Sequence, residues 1–284
     1  MSGLEWTVIN TIAGLREVLT HLWLSLERHR LCNSPFLLAV DLEGMDIHCD
    51  DPVCEWLALA CVQGESTFGL SVGVLPAVWL VDTRALGKWA WDSVFDSHWC
   101  LSEVFKHPEV YKAMWDARYD VHVLCRAYGI ALCADTVLDL QLAYMFSLKQ
   151  PRVYLAPLGT KVLVDLLAKC PRFTKHAEAL RAIEVNAKAI WRERDGGEIG
   201  AWRRRPTEHV LLQYACVDVA YLHDVAWVLR GSLCAPEVVE HTYNRVELGL
   251  TTPKWGDLCA ASMAKSPSLN WTFLYSARIK VDLV

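Results

Sequence analysis

An apolar run, Phe36-Leu37-Leu38-Ala39-Val40, continues into Asp41-Leu42-Glu43 and stops at Gly44. Such a run, closed by a glycine, reads as a buried strand running out into a turn. Side chains alternate faces along a strand, so residues two apart leave on the same side. Asp41 and Glu43 therefore project together from an element that is otherwise apolar. Two adjacent like charges there cost free energy, through desolvation and mutual repulsion, unless a cation sits between them. A divalent metal is the natural compensation, so the first expectation is a sheet with an acidic, cation-binding end.

Two other segments carry related groups. Leu211, Leu212, Ala215, Val219, Leu222, Ala226 and Leu229 recur at helical spacing, which predicts one helix from Thr207 to Leu229 with Pro206 before it and Thr207 as N-cap. Tyr214 and Asp218 lie four apart on it, neighbours across one turn. Asp120 follows the short apolar stretch Ala113-Met114-Trp115 and falls in the first turn of a helix striped by Val121, Leu124 and Tyr128, with Asp116 as candidate N-cap. Singly, each has an ordinary explanation: a solvated strand end, a first-turn acid that favours the helix dipole, a packing tyrosine. The weight lies in the three occurring in order, each in a fitting element.

Val40-Asp41-Leu42-Glu43-Gly44, Trp115-Asp116-Ala117-Arg118-Tyr119-Asp120 and Tyr214-Ala215-Cys216-Val217-Asp218 resemble the three motifs of the DEDDy class of 3′-5′ exonucleases, which includes RNase D and the Werner exonuclease domain. Asp135 to Leu142 and Trp202-Arg203-Arg204-Arg205-Pro206 look like connecting sequence of the same family, and the likeness runs from about Phe36 to Arg230. Asp116 stands where many members have His or Asn. That form looks closer to the eukaryotic branch containing Egalitarian and the fungal exonuclease-domain proteins, some of which have lost carboxylates; all four are present here.

The resemblance implies an α/β, RNase H-like fold, with a mixed five-stranded sheet flanked by helices around a DnaQ-like exonuclease core. It implies catalysis by Asp41, Glu43, Asp120, Tyr214 and Asp218, with the four acids as metal ligands. Asp41, Glu43 and Asp218 would bind a first ion; Asp41 with Asp120, partly through water, a second. In-line attack on a phosphodiester loads charge onto the phosphoryl and departing oxygens, and two ions ~3.5–4 Å apart clamp both sides. An all-oxygen site suits two Mg²⁺ or Mn²⁺ ions better than zinc. Tyr214 would orient the attacking water or help take its proton. Leu42, Gly44, Met45, Asp116, Arg118, Tyr119, Arg203 and Arg205 are the expected contacts to nucleic acid. The expected partner is single-stranded RNA or a recessed 3′ end, RNA being favoured over DNA, and a homodimer or a protein partner is a further candidate. The alternative is a weak or inactive RNA-binding adaptor on the same fold.

Strands are expected at Phe36 to Leu42, Trp56 to Val62, Ala77 to Val81, Tyr111 to Trp115 and Leu132 to Asp135. Helices are expected at Ile12 to His29, Leu101 to Phe105, Arg118 to Tyr128, Leu138 to Phe146, Thr160 to Ala168, Ala177 to Arg194 and Thr207 to Leu229. This gives a helical flank over 1–35, an exonuclease domain over 36–230 and an extension over 231–284. The extension loses clear periodicity and would be a loose tail, a docking segment or a cap on the acidic face.

With 284 residues and 53% hydrophobic content, the chain can bury one large core. A net charge of -5 argues against a duplex binder working through a broad basic surface, though not against a nuclease whose ions supply positive charge. Arg192 and Arg194 beside Trp191, and Arg203 to Arg205 beside Trp202, are local basic patches that read first as solvated surface. Eleven cysteines with no secretory leader point to a reducing, intracellular compartment, cytoplasmic or nuclear. Cys49, Cys54 and Cys61 lack zinc spacing. The apolar stretch from Trp56 to Val81 is broken by glycines and Pro76, as two strands are and a membrane span is not. Gly69-Leu70-Ser71-Val72-Gly73 matches a hydrolase elbow in letters only, since a proline and another strand follow where a helix is required.

Overall fold

The computed structural model describes residues 5–44, 50–62, 76–92, 99–148, 166, 177–254 and 257. Met45, the Gly69 to Gly73 segment, residues 258–284 and the helix expected at Thr160 to Ala168, apart from Leu166, lie outside them.

Among the described residues, six strands form one mixed sheet. β1 (Trp6–Ile9), β2 (Phe36–Glu43), β3 (Trp56–Cys61), β4 (Ala77–Asp82), β5 (Val110–Met114) and β6 (Val137–Asp139) lie in the order β1-β4-β3-β2-β5-β6. β2, β3 and β4 are an antiparallel meander, with Asp41 opposite Ala58 and Glu43 opposite Trp56. β5 and β6 add in parallel on one side, β1 in parallel with β4 on the other. The sixth strand is β1. Four residues long and half exposed, it has no alternation to announce it, and it exists through its pairing with β4.

The strand expected at Leu132 to Asp135 is displaced. Ala134–Thr136 is a 3₁₀ turn, closed by the Thr136 hydroxyl donating to the Cys133 carbonyl at 2.9 Å, and the strand follows it at Val137–Asp139. Asp139 then caps the next helix, accepting from the Leu142 N–H at 3.1 Å, so that helix starts at Leu140 and not at Leu138.

Helices cover both faces. α1 (Ile12–Leu31), α2 (Thr83–Leu86), α3 (Trp89–Asp92), α4 (Leu101–Lys106) and α5 (Ala117–Tyr128) precede β6; α6 (Leu140–Ser147), α7 (Ala177–Trp191), α8 (His209–Ala220), α9 (Leu222–Leu233) and α10 (Pro236–Thr251) follow it. Phe36, Leu38, Val40 and Leu42 of β2 face a core built with α1, α4 and α5. Leu37 and Ala39 face the opposite core, built with α6, α8 and α9. Alternation thus turns Asp41 and Glu43 toward the layer that contains α8.

The single helix expected from Thr207 to Leu229 is two, broken at Tyr221 (φ −111°, ψ 2°). α8 packs on β2, β3 and β4 while α9 packs on α6. One straight rod could not follow both. Thr207 is not the cap: its hydroxyl donates to the Arg204 carbonyl, and Glu208 occupies the N-cap position. Residues 236–251, where sequence periodicity fades, form α10 packed along α5. Gly249 permits that approach, since a Cβ there would lie 2.9 Å from the Arg118 carbonyl oxygen and 2.9 Å from Val121. Among the described residues no helix is long and apolar enough to cross a membrane.

Candidate metal centre

The C-terminal end of β2 is where both helical layers meet the sheet. Asp41 and Glu43 come from the strand itself, Asp218 from α8 on one side, and Asp120 from the first turn of α5 on the other. One carboxylate oxygen each from Asp41, Glu43 and Asp218 lies within 4.8 Å of the others, a group that could hold a metal ion. Asp120 reaches over the strand end, its Oδ1 accepting the Leu42 N–H at 3.1 Å. Glu43, Asp120 and Asp218 are buried, and Asp41 is partly open.

The electrostatics are those of uncompensated acids. Burial pushes the Asp41 carboxyl up to about 7, against hydrogen bonds from Glu43 and the Leu42 N–H that favour its charged form. Glu43 is raised well above the usual range by burial, then by repulsion from Asp41, Asp218 and Asp120. Asp120 is raised by burial and by Asp41 and Asp116. Asp218 is raised by burial and Asp41, while a Tyr214 hydrogen bond and the charge of Lys188 pull the other way. Such acids favour protons or a cation.

Tyr214, one turn before Asp218, is buried and hydrogen-bonded to it; the Trp202 ring lies 6.4 Å away, centroid to centroid. Lys188, paired with Glu184 one turn earlier on α7, is a contributor the sequence did not single out. Only its charge beside Asp218 reveals it.

The residues expected to contact nucleic acid have diverse placements. Gly44 and Tyr119 keep partial exposure, Leu42 is buried in the core, and Met45 lies outside the described residues. Asp116 and Arg118 are turned inward. Arg118 is 0% exposed and donates to both Asp116 oxygens at 2.6 Å. Asp116 does sit at the N-cap of α5, with φ 69°, but its side chain makes no cap bond. The Ala117 N–H goes to Asp139 at 3.2 Å instead. Arg245 of α10 completes this buried set, donating to Asp139 at 2.7 Å and to Gln141 at 3.1 Å and lying 3.5 Å from Asp116. Arg205 grips Asp82 with bonds of 2.6 and 2.8 Å and lies over the Trp56 ring, whereas Arg203 reaches Glu55 at 3.3 Å from a more exposed position. The Arg192 head lies over its neighbour Trp191, as an anchored surface pair does.

No protein-family model and no curated protein sequence matches the chain. Solved structures do. The catalytic core of RRP6 from Trypanosoma brucei is similar at TM-score 0.56 and 18% identity, over 90% of this chain and 54% of that one. Escherichia coli RNase D, an exoribonuclease involved in structured RNA processing, is similar at 0.54 and 14%, over 87% and 51%. Trypanosoma brucei RNase D in complex with RNA U12 is similar at 0.55 and 18%, over 95% and 83%. The chain spans about half the length of the first two. At these identities the likeness is one of fold: this is a mixed α/β chain with the fold of the RNase D and Rrp6 3′-5′ exonucleases.

Proposed function

We propose that this protein is a divalent-metal-dependent 3′-5′ exonuclease that releases nucleoside 5′-monophosphates, with RNA as its substrate. The observation that carries the reading is the convergence of Asp41, Glu43 and Asp218 within 4.8 Å, Glu43 and Asp218 buried and Asp41 partly open. The donor set fits the cofactor, because hard oxygen ligands of this kind suit Mg²⁺ or Mn²⁺. Asp41, Glu43 and Asp218 would hold one ion, and Asp41 with Asp120 a second. Bound there, such ions would supply positive charge for the scissile phosphate and lower the pKa of a bound water. Tyr214, tethered to Asp218, orients that water and assists removal of its proton. Gly44, Tyr119 and Arg203, which keep some exposure, are the groups we assign to the strand. The RNA in one structural neighbour favours RNA over DNA. The Asp116 form of the second motif supports a relationship to the Egalitarian and fungal branch.

The test uses single strands labelled at the 3′ or 5′ end, incubated with Mg²⁺ or Mn²⁺. Stepwise shortening from the 3′ end is expected, with a loss on the order of 10³-fold in Asp41→Ala, since Lewis-acid stabilisation is worth several kcal/mol and ~1.4 kcal/mol is tenfold in rate. Binding with no shortening in either metal would overturn the proposal in favour of an adaptor.

A further inference from the structure

Beside the acidic strand end lies a cluster of arginines around a buried glutamate. Glu55 is the next-door neighbour of Glu43 across the sheet, its N–H donating to the Glu43 carbonyl at 2.8 Å. Its side chain is 2% exposed and faces three arginines: Arg203 Nε at 3.3 Å, Arg84 Nη1 at 3.6 Å and Arg205 Nη2 at 3.7 Å. These come from α2 and from the loop before α8, so only the tertiary fold assembles them. Arg205 also pairs with Asp82 at 2.6 Å. Three guanidinium groups thus gather around one buried carboxylate, beside a site whose own acids repel phosphate.

The three arginines are not equivalent. Arg205 is fixed by Asp82, by the Trp202 carbonyl at 2.7 Å and by the Trp56 ring beneath it, which makes it part of the framework. The Arg84 and Arg203 side chains are 51% and 41% exposed, and Glu55 holds both heads at the rim from below. Arg204, in the same run, turns away to Glu198 and Glu208. The loop carrying Arg203 is also tied to the acids from the other side, because Trp202 lies against Tyr214. A buried carboxylate under two half-exposed guanidiniums fixes their direction without covering them, and guanidinium groups match phosphate oxygens through paired N–H donors.

We propose that Arg84 and Arg203 form a phosphate-binding subsite that grips a backbone phosphate of the substrate strand away from the bond being cut. The inference rests on the exonuclease reading and deepens it: the substrate is an oligonucleotide with at least one phosphodiester beyond the scissile one, held through its backbone and not its bases. The subsite supplies locally the positive charge that a chain of net charge -5 lacks overall.

The experiment measures binding of a fluorescent single-stranded RNA across a salt series, alongside kcat and KM for its shortening. Each of Arg84→Gln and Arg203→Gln is expected to weaken binding several-fold for any base sequence. Each should also reduce the slope of log affinity against log salt by about 0.7, the value per phosphate contact on a single strand. KM should rise with kcat nearly unchanged, and Arg204→Gln should behave as wild type. Because removing Arg203 leaves Glu55 short of a partner, Arg203→Gln is also made with Glu55→Gln, and circular dichroism checks the fold of each variant. Wild-type salt slope and KM in folded Arg84→Gln and Arg203→Gln proteins would overturn the subsite while leaving the exonuclease reading intact. A reduced slope in a protein that shortens no strand would support the subsite and sink the exonuclease reading alone.

Discussion

Asp116 and Asp120 stand one helical turn apart, yet the fold treats them in opposite ways. Asp116 and nearby Asp139 are saturated: Arg118 and Arg245, each 0% exposed, bring two cations to two anions, and the Ala117 and Leu142 N–H groups take further lone pairs. Asp120, Asp41 and Glu43, at the same end of the sheet, have no ion pair among the described residues. Burial alone therefore does not mark a site. What marks it is burial of like charges that the protein leaves uncompensated, beside others it has neutralised with care. The neutralised set also has a structural task, since it joins α10 and the start of α6 to the first turn of α5, the turn that carries Asp120.

The sharpest way to break this contrast is to remove a cation from the neutralised side. Arg245→Met leaves Asp139 buried without its arginine and should cost about 3–5 kcal/mol in urea unfolding. Adding Asp139→Asn, which keeps the cap on α6, should recover part of that loss. A cost below about 1 kcal/mol would mean that the network is not what holds α10 to α5.

On the uncompensated side, Tyr214→Phe should slow turnover by about 10²-fold and leave Mn²⁺ affinity nearly unchanged, because the phenol acts on water and not on the ions. Asp218→Asn should lose both. Equal loss of metal affinity in the two variants would contradict the role given to Tyr214.

The metal-free protein provides a pH test. A carboxyl raised from its ordinary value to about 7, as Asp41 is, binds protons more tightly in the folded state. Its contribution is fully present below the unfolded value near 4 and is lost as pH rises through about 7. With chelator present, stability should therefore fall by about 1–2 kcal/mol between pH 5 and pH 8, a figure discounted because Asp41 is partly open to solvent. Mg²⁺ should reverse the fall. The smallest effect is the most diagnostic: Asp41→Asn should stabilise the metal-free protein at pH 8 by about 1 kcal/mol, by removing one repelling charge, while abolishing strand shortening. A chelated wild type whose stability rises over that pH range would show that the acids are compensated after all.

Legibility in the sequence followed the range of the interactions. Asp41 and Glu43 could be read from a period of two, and Tyr214 with Asp218 from a period of 3.6, because a single element fixes both relations. The β2 to β4 meander was legible for the same reason: each strand is an apolar run buried on both faces. β1 and β6 were missed or misplaced, since short strands are defined by a partner and not by their own pattern. The break at Tyr221 has no proline or glycine to signal it and reflects two packing surfaces at an angle. Arg118, inside the second motif, reads as a contact to nucleic acid, and only the fold shows it sealed against Asp116. Arg84 carries no local signal at all.

The sequence alone determined which residue types would lie on which face of each element, because alternation and helical spacing are local geometry. The tertiary structure decided which charges would find partners. Arg118 and Arg245 reach Asp116 and Asp139, and no cation of the described residues pairs with Asp41, Glu43 or Asp120. Coulomb energy depends on distances across tens of residues of chain, and those distances exist only once the two helical layers have closed over the end of β2.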